Sequence, residues 1–267
     1  AFVADARTDT VDELFTRVLD GAAPALRVSQ DFAPLEPYGS PPGGVFSFRT
    51  GAQRVVYVAD QDTGGRTGLY SAPLHVPGPR LLLSDTSGGR IDVVADGRIE
   101  LAAAGTRVLW RGWIAEKEWL FSSRVERALD PIVLNVAPQP YGTIAEYQVA
   151  PDGLSAVFLS DHEADEQYEL YAAPLAVQGV PARLSGTLTA GGDVLDTFRI
   201  TSDGARVVYV ADQDTDETFE LYASTGAGVP VKLSGAVLSS HDVEPDFLLA
   251  HDGTYAYFLG DLGVVNQ

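Results

Sequence analysis

The chain, laid on itself, repeats. Phe198-Arg199-Ile200-Thr201-Ser202-Asp203-Gly204 leads into Arg206-Val207-Val208-Tyr209-Val210-Ala211-Asp212, then Phe219-Glu220-Leu221-Tyr222, then Val229-Pro230-Val231-Lys232-Leu233-Ser234. A second copy holds Val55-Val56-Tyr57-Val58-Ala59-Asp60, Leu69-Tyr70 and Leu81-Leu82-Leu83-Ser84. A third holds Pro151-Asp152-Gly153, Val157-Phe158-Leu159-Ser160-Asp161, Glu169-Leu170-Tyr171 and Leu184-Ser185. The aspartates that close the apolar run, Asp60, Asp161, Asp212 and Asp261, lie 101, 51 and 49 residues apart. The long interval contains a degenerate copy, Arg107-Val108-Leu109-Trp110 followed by Trp119-Leu120-Phe121-Ser122. A period near fifty residues marks units that cannot bury both faces alone and must stack on one another.

Each copy reads as four strands. Strand a ends in a turn at Asp152-Gly153, Asp203-Gly204 or Asp252-Gly253, a strong hairpin signal because glycine accepts positive φ. Strand b is the Val-Val-Tyr-Val run, whose β-branched and aromatic residues suit a buried pleated surface. Strand c carries the Leu-Tyr pair. Strand d is the short run ending Leu-Ser, with proline tolerable at an outer edge. The pattern predicts an all-β fold, a β-propeller of about five four-stranded blades. Their approximate spans are 1–29 with 245–267, 44–84, 91–135, 144–185 and 194–234, all within one domain over 1–267. The first span joins the two ends. Phe2-Val3-Ala4-Asp5, Glu13-Leu14-Phe15 and Leu26-Arg27-Val28-Ser29 read as the tail of strand b plus c and d. Phe247–Ala250 and Tyr255–Leu259 read as a and b. Terminal strands sharing one blade would close the ring and remove sheet edges. Both ends carry part of strand b, so a segment of a larger propeller is the competing expectation.

Composition narrows the function classes. The formal net charge is −19, which disfavours nucleic acid and anionic lipid as partners. Cysteine is absent, excluding disulfides, thiolate metal sites and cysteine nucleophiles. No run of eighteen apolar residues occurs, so membrane insertion by a helix is not expected. No signal peptide is visible, and the opening Ala1-Phe2-Val3 without an initiator methionine suggests that this is not the gene start.

The repeat resembles the TolB-like propeller repeat, WD40-like and also called PD40 for its Pro-Asp start. Pro151-Asp152-Gly153 carries that signature in full, while Ser202-Asp203-Gly204 and His251-Asp252-Gly253 keep the Asp-Gly. Tyr209 through Asp216, with Glu220-Leu221-Tyr222, is the most family-like stretch, and residues 85–145 are the least. The resemblance implies a propeller, commonly a periplasmic or secreted bacterial protein, with an interaction role. It implies no catalytic site.

Three constellations carry chemistry. In the b–c loop Asp212, Asp214, Asp216 and Glu220 fall at positions one, three, five and nine, and Asp161, Glu163, Asp165 and Glu169 repeat the pattern. The N-terminal copy keeps Asp5, Asp9 and Glu13, and the second keeps Asp60 and Asp62. Alternating carboxylates on a tight loop can converge on Ca2+, although position six is Glu217 where an EF-hand requires glycine. The competing reading is a solvated acidic turn. Before strand a, Asp92, Asp193 and Asp242 occupy matching d–a connections. They either ring one mouth of a central channel or cap local N–H groups. Trp110, Trp113 and Trp119 cluster in the degenerate copy; Trp110 aligns with Tyr57 as core, and Trp113 replaces the loop aspartate as a candidate ligand platform.

The histidines, His75, His162, His241 and His251, sit at unrelated repeat positions, and no nucleophile elbow or phosphate loop occurs. The expectation is a non-enzymatic scaffold binding a protein or a glycan, with calcium as a stabiliser. The alternative is a glycan lyase or hydrolase using the channel carboxylates as acid and base.

Overall fold

The computed structural model describes all residues except 5–11, 21–22, 30–44, 52, 61–65, 87–88, 95, 97, 103–104, 129–130, 139, 141, 227, 236–241 and 262–267. Among the described residues there is no α-helix, and hence no helix long and apolar enough to cross a membrane. Every strand pairing among the described residues is antiparallel.

The repeats fold as successive sheets in the order a-b-c-d. The second sheet holds Val45–Thr50, Arg54–Ala59, Gly68–Pro73 and Leu81–Leu82. The fourth holds Ile144–Val149, Ser155–Ser160, Glu169–Pro174 and Ala182–Arg183. The fifth holds Arg199–Ile200, Val207–Ala211, Glu220–Ser224 and Val231–Lys232. In the third, strand a is split into Asp92–Val93 and Ile99–Leu101. Both pieces pair with Arg107–Ile114, which is followed by Lys117–Arg124 and Ile132–Val133. A small ribbon, Asp85–Thr86 with Gly89–Arg90, precedes it.

The ends are partial copies. Phe2–Ala4, Glu13–Thr16 and Leu26–Arg27 form a first sheet, and Val243–Leu249 with Ala256–Gly260 form a sixth. Register resolves which strands these are. Phe2 stands opposite Phe15 as Tyr57 stands opposite Tyr70, so Phe2–Ala4 is a strand b. Phe258 stands opposite Phe247 as Phe158 stands opposite Tyr147, so Ala256–Gly260 is a strand b as well. A blade shared by the two ends would hold only one of them.

The chain divides into two compact units, Ala1–Val133 and Leu134–Gln267. Within each, consecutive sheets pack face to face, which is why the central run of strand b, residues 55–59 or Val207–Ala211, is unbroken apolar and buried. Val55, Tyr57 and Ala59 point to the first sheet, where they meet Leu14 and Val28. Val56 and Val58 point the other way, onto Ile91, Ile99, Val108 and Trp110 of the third. In the second unit Val207, Tyr209 and Ala211 face Val157, Leu159 and Leu170, while Val208 and Val210 face Val243 and Phe247. Successive strand residues alternate faces, so two buried faces demand an unbroken apolar run. Each valine, leucine or isoleucine among them contributes about 1.5–3 kcal/mol on burial. Stacked rings across strands b and c recur from copy to copy: Phe2–Phe15, Tyr57–Tyr70, Trp110–Phe121, Phe158–Tyr171 and Tyr209–Tyr222, with centroids 4.5–5.7 Å apart.

Two other repeated letters find their cause here. Gly153, Gly204 and Gly253 lie at φ 68°, 71° and 69°, the left-handed conformation that the a–b turn requires. The strand-d serine accepts the strand-c leucine N–H: Ser29 from Leu14, Ser84 from Leu69, Ser185 from Leu170 and Ser234 from Leu221, at 3.1–3.3 Å.

Candidate functional site

The d–a aspartates are bonded to the preceding sheet. Asp193 accepts the Tyr168 N–H at 2.7 Å while the Val194 N–H donates to the Tyr168 carbonyl at 2.9 Å. Asp242 and Val243 repeat this two-bond clasp on Phe219, at 2.9 Å each. Val93 likewise bonds the Thr67 carbonyl, at 3.1 Å, but Asp92 departs from the pattern. Its carboxylate takes a two-pronged bond from Arg66, Nε to Oδ1 at 2.9 Å and Nη2 to Oδ2 at 3.1 Å. That bond holds the Arg66 guanidinium above its ordinary pKa. Burial, together with the carboxylates of Asp212, Asp216 and Asp161, raises the Asp193 carboxyl, against the lowering effect of the Tyr168 N–H.

The b–c loop carboxylates are divided among separate partners. Asp212, 3% exposed, accepts the Asp193 N–H at 2.5 Å and the Glu217 N–H at 2.9 Å. Asp161 accepts the Thr143 N–H at 2.5 Å. Glu217 and Glu166 hold position six at φ 58° and 56°, the conformation for which an EF-hand uses glycine. Lys232 Nζ lies 2.7 Å from both Asp214 Oδ2 and Glu220 Oε2. Burial works against that ammonium, yet its bonds to the two carboxylates hold its pKa up. Glu169 takes the corresponding contact from Arg183 at 2.8 Å, and Glu13 from Arg27 at 2.5 Å. Tyr171 and Tyr222 donate their hydroxyls to Glu169 and Glu220, and burial plus those bonds push both phenols up.

This pairing of the first strand-c residue with a strand-d cation was not anticipated from the sequence, although a signal was present. Arg27, Arg183 and Lys232 share one register position, opposite the second ring of the stacked pair. In the second sheet that position is Leu82 and the glutamate is Gly68; in the third they are Val133 and Trp119. Anion and cation are present together or absent together.

The donor set does not fit a calcium shell as it stands. Both Asp212 oxygens receive backbone N–H groups, and an ammonium lies between Asp214 and Glu220. Among the described residues no three His, Asp or Glu side chains converge as a metal-binding group. Asp5, Asp9 and Asp62, and His241, lie outside the described residues.

The degenerate copy differs in its chemistry. Arg107–Ile114 and Lys117–Arg124 form a long hairpin closed by Ala115 and Glu116, at φ 51° and 62°. Two positive φ values in a two-residue loop match the twist of the strands. This hairpin replaces the acidic loop of the other copies and carries Trp113 where they carry aspartate. Indole cannot accept the N–H that Asp161 and Asp212 accept, and here Asp92 pairs directly opposite Trp113 as part of the sheet. Trp110 is wholly buried and donates to Ser123 Oγ at 3.0 Å. Trp113 and Ile114 are 42% and 41% exposed. With Arg66, Asp92, Ala115 and Glu116 they line a shallow, open cleft of about 500 Å³.

No protein-family model matches the chain, and no curated protein matches it. Among solved structures it is similar to TolB from Acinetobacter baumannii, with TM-score 0.43 and 13% identity over 81% of this chain and 54% of that one. It is also similar to a protein described as TolB from Agrobacterium tumefaciens, with TM-score 0.44 and 11% identity over 80% of each chain. A prolyl endopeptidase matches with TM-score 0.46 and 12% identity over 75% of this chain and 30% of that one. The chain thus spans about half the length of the Acinetobacter protein and under a third of the endopeptidase.

Proposed function

We propose that this chain is a non-enzymatic binding scaffold of TolB-like propeller type, in a periplasmic or secreted setting. Its ligand site is the cleft at the Trp113 hairpin, and its partner is a protein or a glycan. One observation carries the reading: the degenerate copy exchanges a bonded loop aspartate for a tryptophan 42% exposed beside a cleft of about 500 Å³. A large amphipathic ring held on a tight hairpin gains contact area at little cost in conformational entropy. The carboxylates that an enzymatic reading would use, Asp92, Asp193 and Asp242, each hold an internal bond.

The test is capture on arrays of immobilised glycans and proteins, comparing the wild-type chain with Trp113→Ala. Loss of a captured ligand in the variant supports the reading, and equal capture by both overturns it. Turnover of any captured glycan, abolished by Asp193→Asn, would favour the hydrolase or lyase alternative.

A further inference from the structure

We infer, building on the reading of the Trp113 cleft as the binding site, that its ligand is an uncharged glycan segment. The argument rests on the chemistry around one indole. Trp113 stands directly opposite Asp92 across the sheet, and Asp92 is clamped by Arg66 at 2.9 and 3.1 Å. The clamp sets a planar fork of donors and acceptors beside an exposed aromatic ring. A sugar ring presents the complementary surface, with C–H groups on its face and hydroxyls, each donor and acceptor, on its rim. Stacking takes the first, and the fork takes the second without losing its own ion pair.

Charge selects against the competitors. The Arg66 cation is balanced by Asp92, and Glu116 adds a further carboxylate to the same cleft. The chain as a whole carries −19, so phosphate, sulfate and uronate polymers meet repulsion on approach. A cationic peptide would have to compete with Arg66 for Asp92 and would forfeit part of a charge-assisted bond. An uncharged ligand disturbs neither.

The scaffold holds Trp113 in place. Beyond Trp110, strand b continues in register with strand c to the Ile114–Lys117 pair, so Trp113 sits on paired strand and not on loop. Arg111 is tied to Glu118 at 3.0 Å and to Asp96, which anchors the same hairpin from its flank. A site on strands is held more closely than one on loops.

The experiment is calorimetric titration of the full chain with cellohexaose, xylohexaose, mannohexaose, laminarihexaose and chitohexaose. Oligogalacturonate and oligolysine serve as charged probes. The expected result is binding to at least one neutral hexasaccharide, weakened at least about tenfold in Trp113→Ala and less in Trp113→Phe. That affinity should change little between about 0.05 and 0.5 M salt, because no net charge is neutralised. An Arg66→Gln/Asp92→Asn pair, which keeps polar groups but removes the fork, should weaken binding with an unchanged melting temperature. Binding to none of the neutral probes, or binding that Trp113→Ala leaves intact, overturns the inference. Trp113-dependent, salt-sensitive binding of oligolysine alone would overturn the glycan assignment while leaving the cleft as the scaffold's site. Absence of any Trp113-dependent ligand on the arrays as well would sink both.

Discussion

Tyr209 donates its hydroxyl to Gln213 Oε1 at 3.0 Å, and burial holds that phenol high. The corresponding pair one repeat earlier is Phe158 and His162, rings 6.4 Å apart with no hydroxyl between them. His162, 1% exposed, has neither ring nitrogen hydrogen-bonded among the described residues, its Nε2 lying 4.0 Å from Glu163 Oε1. An orphaned buried polar atom costs about 1–3 kcal/mol. Installing Phe158→Tyr with His162→Gln should recover about 1–2 kcal/mol in urea unfolding, more than the sum of the single changes. Strict additivity would show that the two positions are not coupled.

The same histidine gives the stability curve a slope. Burial lowers its pKa, against the raising effect of Glu163 and Asp161. The folded state therefore resists a proton that the unfolded chain accepts near pH 6.5. More protons bound to the unfolded state means that stability falls as pH drops below about 6.5, until the folded-state pKa is reached. His162→Gln should flatten that portion of the curve. Parallel wild-type and variant curves between about pH 6.5 and 5 would refute the assignment.

Lys232 answers two carboxylates at once. Lys232→Met leaves Glu220, 3% exposed, without its cation and should cost about 1–3 kcal/mol; the Lys232→Met/Glu220→Gln double variant should regain most of it. The ammonium also stands where a calcium ion would bridge Asp214 and Glu220. Melting temperature in millimolar calcium and in chelator should therefore coincide for the wild-type chain. A calcium-dependent rise would restore the metal reading.

The Asp242 clasp is separable from its charge. Asp242→Asn keeps an oxygen for the Phe219 N–H and should change stability by less than about 0.5 kcal/mol; Asp242→Ala should cost about 1 kcal/mol. Equal losses in the two variants would mean that the charge matters and the bond does not.

Removing residues 1–29 strips Leu14 and Val28 from the face formed by Val55, Tyr57 and Tyr70. The truncated chain should melt at lower temperature and aggregate more readily. An unchanged melting profile would mean that this face needs no cover.

Much of the fold was legible in the sequence because two buried faces leave a continuous apolar run that admits few other readings. The Asp-Gly turns were legible for the same kind of reason: one backbone conformation admits one residue type well. The site was harder. Asp193 and Asp242 recur at matching places, but recurrence alone does not separate a shared ligand from a shared scaffold bond. Their partners, Tyr168 and Phe219 N–H, are backbone groups with no sequence signature. The Glu220–Lys232 pair was hidden because its cation is Arg27 or Arg183 in other copies, and only strand register brings them opposite. Trp113 stood out because it replaces a residue that every better-preserved copy retains.

The valine N–H after each d–a aspartate, joined by the aspartate itself at Asp193 and Asp242, reaches back to the neighbouring repeat. Each junction described, Thr67–Val93, Tyr168–Val194 and Phe219–Val243, is therefore closed by bonds local to two modules. Cooperativity in such an array passes between nearest neighbours, as along a row of coupled spins. Within each half, damage at one junction should loosen the modules beside it first, and a duplicated repeat could be accommodated without redesigning the others.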